Sequence, residues 1–105
     1  YIGVAGFSYY LGEDTLRIDA TIELPNPCYT LEQNNAVVDD NEISLYVHIQ
    51  EPPKDTQCIQ VISMEDLSYT IERPPEGTYD VFLIATLEPS GNVVNLYLGT
   101  VEVEG

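Results

Sequence analysis

From Thr15 to Leu24 the chain alternates without a break, with Leu16, Ile18, Ala20, Ile22 and Leu24 on one side and Arg17, Asp19, Thr21 and Glu23 on the other. A period of two sends successive side chains to opposite faces of an extended backbone, so the segment reads as a strand with one face in a core and one in water. A slip of one residue would turn every apolar side chain to solvent, which also fixes the register of whatever pairs with it. The alternation recurs where Ile43, Leu45, Val47 and Ile49 oppose Ser44, Tyr46, His48 and Gln50, and again at Tyr79, Val81, Leu83, Ala85 and Leu87.

Turn-forming residues separate these segments: Pro25-Asn26-Pro27, Asp39-Asp40-Asn41, Pro52-Pro53, Pro74-Pro75-Glu76-Gly77 and Pro89-Ser90-Gly91-Asn92. Between them, residues 28–38, 58–62, 67–71 and 93–103 read as further strands, the last forming a hairpin with its predecessor. That makes seven strands from Thr15 onward. The predicted fold is all-β, an immunoglobulin-like β-sandwich of about seven strands with an additional N-terminal strand. A chain of 105 residues is one domain's worth. Within it, residues 1–12 are expected to form the N-terminal strand and hinge, and residues 13–105 the sandwich. Gly77-Thr78-Tyr79 puts a tyrosine just inside the penultimate strand, where a tyrosine corner would lie; an ordinary half-buried tyrosine is the alternative.

Eighteen acidic residues against Arg17, Lys54 and Arg73 give a formal charge of -15, which repels phosphate backbones and anionic lipid and excludes nucleic acid as a partner. The acids are dispersed, as on a solvated surface, rather than gathered in a tail. No apolar run approaches the roughly 18 to 20 residues of a transmembrane helix, so no transmembrane segment is expected. The chain opens on Tyr1 with no basic and apolar leader, and reads as a mature exported product. Two cysteines in such a chain read as one disulfide, with two buried thiols as the alternative. A zinc site lacks ligands, since only His48 could join the sulfurs.

No catalytic constellation emerges. His48 lies mid-strand on a polar face with no serine or cysteine at a nucleophile elbow nearby. No catalytic residue, enzyme activity or cofactor is therefore expected. Asp39, Asp40 and Glu42 could offer oxygens to calcium, but they lack the spacing and glycine of an EF-hand and read as a turn.

Residues 1–10, YIGVAGFSYY, carry no charge in an acidic chain and are rich in aromatic and β-branched residues. Such a strand left in water is an aggregation hazard and must be paired. One reading folds it back on Thr15–Leu24 through a turn at Gly12, Glu13 and Asp14. The other sends it into the sheet of a neighbour, as in donor-strand complementation, a head-to-tail contact that propagates into a fibre. The side chains expected at that contact are Ile2, Val4, Phe7 and Tyr9, and a bulge near Gly6 is needed to bring Phe7 to the side of Ile2 and Val4.

The run Leu24-Pro25-Asn26-Pro27-Cys28-Tyr29-Thr30-Leu31, the isolated strand at Ile43 to Ile49, the second cysteine in Cys58-Ile59-Gln60, and Pro75-Glu76-Gly77-Thr78-Tyr79 together resemble small exported prokaryotic immunoglobulin-like proteins with a P-C-Y-x-L…C…G-x-Y layout. That resemblance covers about residues 20 to 85 and implies a Cys28–Cys58 bridge within a sandwich. With the uncharged strand in front, the architecture also resembles thread-like pilus subunits of archaea and bacteria that assemble by donor-strand exchange. The expected function is a subunit of an extracellular pilus-like filament whose partners are identical copies, head to tail. The alternative is a monomeric secreted or cell-surface immunoglobulin-like binding module.

Overall fold

A computed structural model describes residues 2–105; Tyr1, the first residue of the uncharged stretch, lies outside them. Each alternating segment has found a partner. The strands are β1 (Gly3–Leu11), β2 (Thr15–Leu24), β3 (Thr30–Asp39), β4 (Glu42–Gln50), β5 (Ser63–Glu72), β6 (Gly77–Glu88) and β7 (Val93–Val103). They form two sheets, one ordered β1-β2-β5 and one ordered β3-β4-β6-β7. The all-β sandwich is as expected, and the described residues contain no helix.

The inward positions are those marked by the alternation. Leu16, Ile18, Ile22 and Leu24 of β2 meet Ile43, Leu45, Val47 and Ile49 of β4 and Val81, Leu83 and Ala85 of β6, all essentially without solvent exposure. Each such aliphatic side chain contributes about 1.5 to 3 kcal/mol on burial, which makes this two-layer core the main stabilising feature. Tyr69 of β5 donates its hydroxyl to the Tyr46 carbonyl of the opposite sheet at 2.7 Å. Burial pushes this phenol up to about 12. Tyr79 donates to the Pro75 carbonyl at 2.6 Å and closes the corner that leads into β6, so the tyrosine corner is formed.

Two details differ from the sequence reading. Residues 58–62 form no strand: they belong to the connection between β4 and β5, where the Val61 N–H bonds back to the Ile59 carbonyl at 2.9 Å in a local turn. Ile59, Val61 and Ile62 consequently stand in solvent, and the total is seven strands including β1 rather than seven besides it. Second, β4 and β6 run parallel, from Glu42 beside Asp80 to Gln50 beside Glu88, whereas both sheets of an immunoglobulin domain are antiparallel. The long connection through β5 in the other sheet is what allows two parallel neighbours.

The ends of the sandwich are tied by polar contacts. Arg73, between β5 and β6, donates through Nη1 to the Gly12 carbonyl in the β1–β2 turn at 2.6 Å and through Nη2 to the Glu104 carbonyl beyond β7. Gln33 reaches from β3 to β5: its Nε2 donates to the Ser68 carbonyl at 2.6 Å and its Oε1 accepts from the Ser68 N–H at 3.2 Å. One side-chain amide thus occupies a backbone pair that a further strand would otherwise use.

Candidate functional site

β1 lies at the edge of the three-stranded sheet, antiparallel to β2 of its own chain, from Gly3 beside Glu23 to Leu11 beside Leu16. Its register shifts between Val4 and Gly6, which is the bulge expected near Gly6. Because Val4, Phe7, Tyr9 and Leu11 stand opposite the inward residues Ile22, Ala20, Ile18 and Leu16, they share the core side of the sheet. Ile2 is buried in the core, and Phe7 packs against it. Val4 and Tyr9 are partly exposed at the sandwich margin, where the Tyr9 hydroxyl oxygen accepts the Glu102 N–H at 3.3 Å. A Cβ on Gly99 of β7 would lie 3.0 Å from Phe7 Cε2, so the glycine is the seat of that ring.

Cys28 and Cys58 are bonded, with their Cα atoms 6.3 Å apart, and they join the β2–β3 connection to the β4–β5 connection. Asn26 prepares the first of them: its Oδ1 accepts the Cys28 N–H at 3.0 Å in an Asx-type turn and lies 3.3 Å from Cys58 Sγ. The Pro-Asn-Pro-Cys run is therefore a device for aiming Cys28.

Asp39, Asp40 and Glu42 occupy the tight β3–β4 turn, with Asp39 and Glu42 paired across it and Asp40 in the left-handed region at φ 52°. The described residues contain no group of three or more His, Cys, Asp or Glu side chains placed to hold a metal ion. His48 is half-buried on the outer side of β4, facing a depression of about 270 Å³ with Thr30, Leu31, Glu32 and Gln50.

The two outer faces of the sandwich are chemically different. On the three-stranded sheet Ser8, Thr21, Ser68 and Thr70 alternate with Asp19, Glu23 and Asp66, and Thr21 donates to Asp66 Oδ1 at 2.6 Å. Arg17 Nε lies 3.3 Å from Asp19 Oδ2 and its guanidinium carbon 5.9 Å from the Tyr10 ring centroid, and Tyr10 and Met64 are the exposed apolar side chains of this face. The four-stranded sheet presents three successive rows instead. Val37, Ser44, Phe82 and Tyr97 are neighbours in one; Tyr46, Ile84 and Asn95 in the next; Glu32, His48, Thr86 and Val93 in the third. The Phe82 and Tyr97 rings are 5.4 Å apart and tilted by 58°. Tyr97 is 55% exposed and Val93 65%. Among the described residues, Glu32 at the β3 edge is the only carboxylate in these rows, while Asp39, Glu42 and Asp80 sit beyond one end and Glu88 beyond the other.

The sequence reading missed this surface. Its signal was present in β6, where the outward residues between Tyr79 and Leu87 are Asp80, Phe82, Ile84 and Thr86, so that two successive outward positions are apolar.

A family model described as the ORF11 beta-sandwich domain matches residues 18–93, well over half of the chain. No curated protein and no solved structure matches it.

Proposed function

The chain belongs to the ORF11 beta-sandwich domain family, and on that footing we propose that it is a non-catalytic, exported module that works by protein contact through the outer face of its four-stranded sheet. The observation that carries this reading is the aromatic and aliphatic band of Val37, Tyr46, Phe82, Ile84, Val93 and Tyr97 on a molecule of charge -15. A contiguous apolar patch of this kind is the usual mark of an interaction surface, and flat sheet faces bury themselves against other flat faces. The Cys28–Cys58 bridge supports an oxidising, extracellular location. The dispersed carboxylates keep the remaining surface solvated and leave that band as the region where a partner can approach. The test is extraction of the native extracellular fraction without reductant. The chain is expected in a complex larger than its 11.7 kDa monomer, with Ile84→Glu releasing it; wild-type chain found only as free monomer, or with two free thiols, contradicts the reading.

A second reading keeps β1 as an exchangeable strand in a pilus-like filament. It is favoured by the one-sided row of Ile2, Val4, Phe7, Tyr9 and Leu11, by the seat at Gly99, and by a hinge at Gly12, Glu13 and Asp14. In this reading the self-paired strand is the closed form, and the same ladder made with a neighbour's β2, with Phe7 seated on that neighbour's Gly99, holds subunits head to tail. Electron microscopy of native material decides it: fibres that vanish when residues 2–11 are removed support exchange, and dispersed particles at high concentration exclude it.

A further inference from the structure

We infer that Arg73 is the latch of β1: its guanidinium holds the strand on its own sheet, and β1 leaves as a unit, hinged at Gly12, Glu13 and Asp14, when that clasp opens. This rests on the reading of β1 as an exchangeable strand, and it adds what keeps the closed form closed. Three features of the molecule lead there.

The first is where the clasp falls. Arg73 lies in the corner between β5 and β6, yet it grips both sides of the β1–β2 turn, and by bonds of different kinds. Its side-chain Nη1 donates to the Gly12 carbonyl at 2.6 Å, on the β1 side, while its backbone N–H donates to the Asp14 carbonyl at 3.0 Å, on the β2 side. The backbone bond keeps β2 anchored whatever side chain stands at residue 73. Loss of the side-chain bond therefore frees the turn at Gly12, the boundary between the strand that moves and the sandwich that stays.

The second is what the clasp joins. Nη2 donates to the Glu104 carbonyl, just past β7. β7 is the strand of the other sheet on which β1 rests, through the Phe7 ring at Gly99 and the Tyr9 hydroxyl at the Glu102 N–H. One guanidinium thus ties the hinge of β1 to the end of the strand that β1 packs on. Among the described residues the one salt bridge is that of Arg17 with Asp19, so Arg73 spends its fork on backbone carbonyls rather than on a carboxylate. Charge-assisted bonds of this kind are roughly twice as strong as neutral ones, and the planar fork holds two acceptors at once.

The third is what the clasp leaves out. The Cys28–Cys58 bridge joins the β2–β3 and β4–β5 connections at the opposite end of the sandwich, Gln33 joins β3 to β5, and Tyr69 joins β5 to β4. None of these ties passes through β1, so the two sheets stay cross-linked when it is off. An edge strand held by so few cross-ties is the kind of unit that opens below the free energy of global unfolding.

Hydrogen exchange of the purified full chain, followed residue by residue by NMR in dilute solution, is the experiment. The Gly12 N–H donates to the Thr15 carbonyl at 2.9 Å, which sets the phase of the ladder: Tyr10, Ser8 and Gly6 turn their N–H groups toward β2. In Arg73→Met these three amides are expected to exchange roughly ten- to a hundredfold faster than in the wild type, with the amides of β4 and β6 unchanged. Arg73→Lys, a milder change that keeps the charge and loses the fork, should fall between the two. Gln33→Ala, which removes a tie that does not touch β1, should leave the three amides as they are. Unchanged exchange at residues 6, 8 and 10 in Arg73→Met overturns the latch. Acceleration by the same factor in β1, β4 and β6 also overturns it, because Arg73 would then support the whole fold and not one strand. Failure of the filament reading looks different: micrographs without fibres, from a chain whose β1 amides are still released by Arg73→Met, would overturn exchange between subunits and leave the latch in place.

Discussion

Phe7 and Gly99 define each other. A Cβ at residue 99 would lie 3.0 Å from Phe7 Cε2 and 3.1 Å from Cδ2, and the backbone there has φ +150°, which L side chains rarely adopt. Gly99→Ala should therefore destabilise the fold by about 1 to 3 kcal/mol in urea denaturation. Combined with Phe7→Leu, which withdraws the ring, the loss should be clearly smaller than the sum of the two single changes, the sign of direct contact. Tyr69 makes a separate, pH-dependent contribution. Its folded value, raised by burial to about 12, exceeds the ordinary 10.0, so the unfolded chain loses this proton first as pH climbs. The stability it supplies is complete below about pH 10 and is lost as pH rises through about 12. Chemical denaturation across that interval should show a decline that Tyr69→Phe flattens, and an equal decline in the variant would assign the effect elsewhere.

At the scale of elements, the question is what holds each strand in place. The disulfide closes a loop of 30 residues in sequence and should contribute about 3 to 4 kcal/mol by loop entropy, so Cys28→Ser with Cys58→Ser is expected to lower the urea midpoint substantially while leaving the far-ultraviolet spectrum of a β protein. The free edge of β5 is guarded by Gln33, whose amide occupies both backbone groups of Ser68. Gln33→Ala should expose that edge and raise the rate of aggregation, read by light scattering, with little change in melting temperature. Much at this level was legible in the sequence. The alternation of Leu16 to Leu24 marked β2 and its buried face, Gly77-Thr78-Tyr79 left open the corner that Tyr79 forms, and the donor-strand reading of Phe7 beside Val4 required a bulge such as the one found between Val4 and Gly6. The run at residues 58–62 misled, because apolar composition does not show whether a segment has a ladder partner; Cys58 is tied to Cys28 and the residues after it turn locally instead of pairing. The parallel pairing of β4 and β6 was equally hidden, since a period of two assigns faces and leaves strand order open.

The whole molecule is an elongated sandwich of 52 × 22 × 18 Å that carries charge -15 and shows solvent two unlike faces, one mainly hydroxylated and acidic with Tyr10 and Met64 exposed among those groups, the other with Tyr46, Phe82, Ile84 and Tyr97 grouped at its middle. That contrast was not legible beforehand, because it arises only when β3, β4, β6 and β7 are set side by side and Val37, Tyr46, Ile84 and Tyr97 become neighbours. Self-repulsion of so many carboxylates should make the isolated domain melt at a higher temperature as salt rises, an effect of screening that calorimetry at dilute concentration can follow. The central claim is that the four-stranded face is the one in use, and two tyrosines report on it directly. Tyr97 on that face and Tyr10 on the other are 55% and 64% exposed in the single chain. Covalent tyrosine labelling, read by mass spectrometry, can compare dilute purified chain with native assembled material. Both residues are expected to label in the dilute chain and Tyr97 alone to be protected in the assembly. Equal labelling of Tyr97 in both samples, or protection of Tyr10 in its place, would contradict the assignment of the working surface.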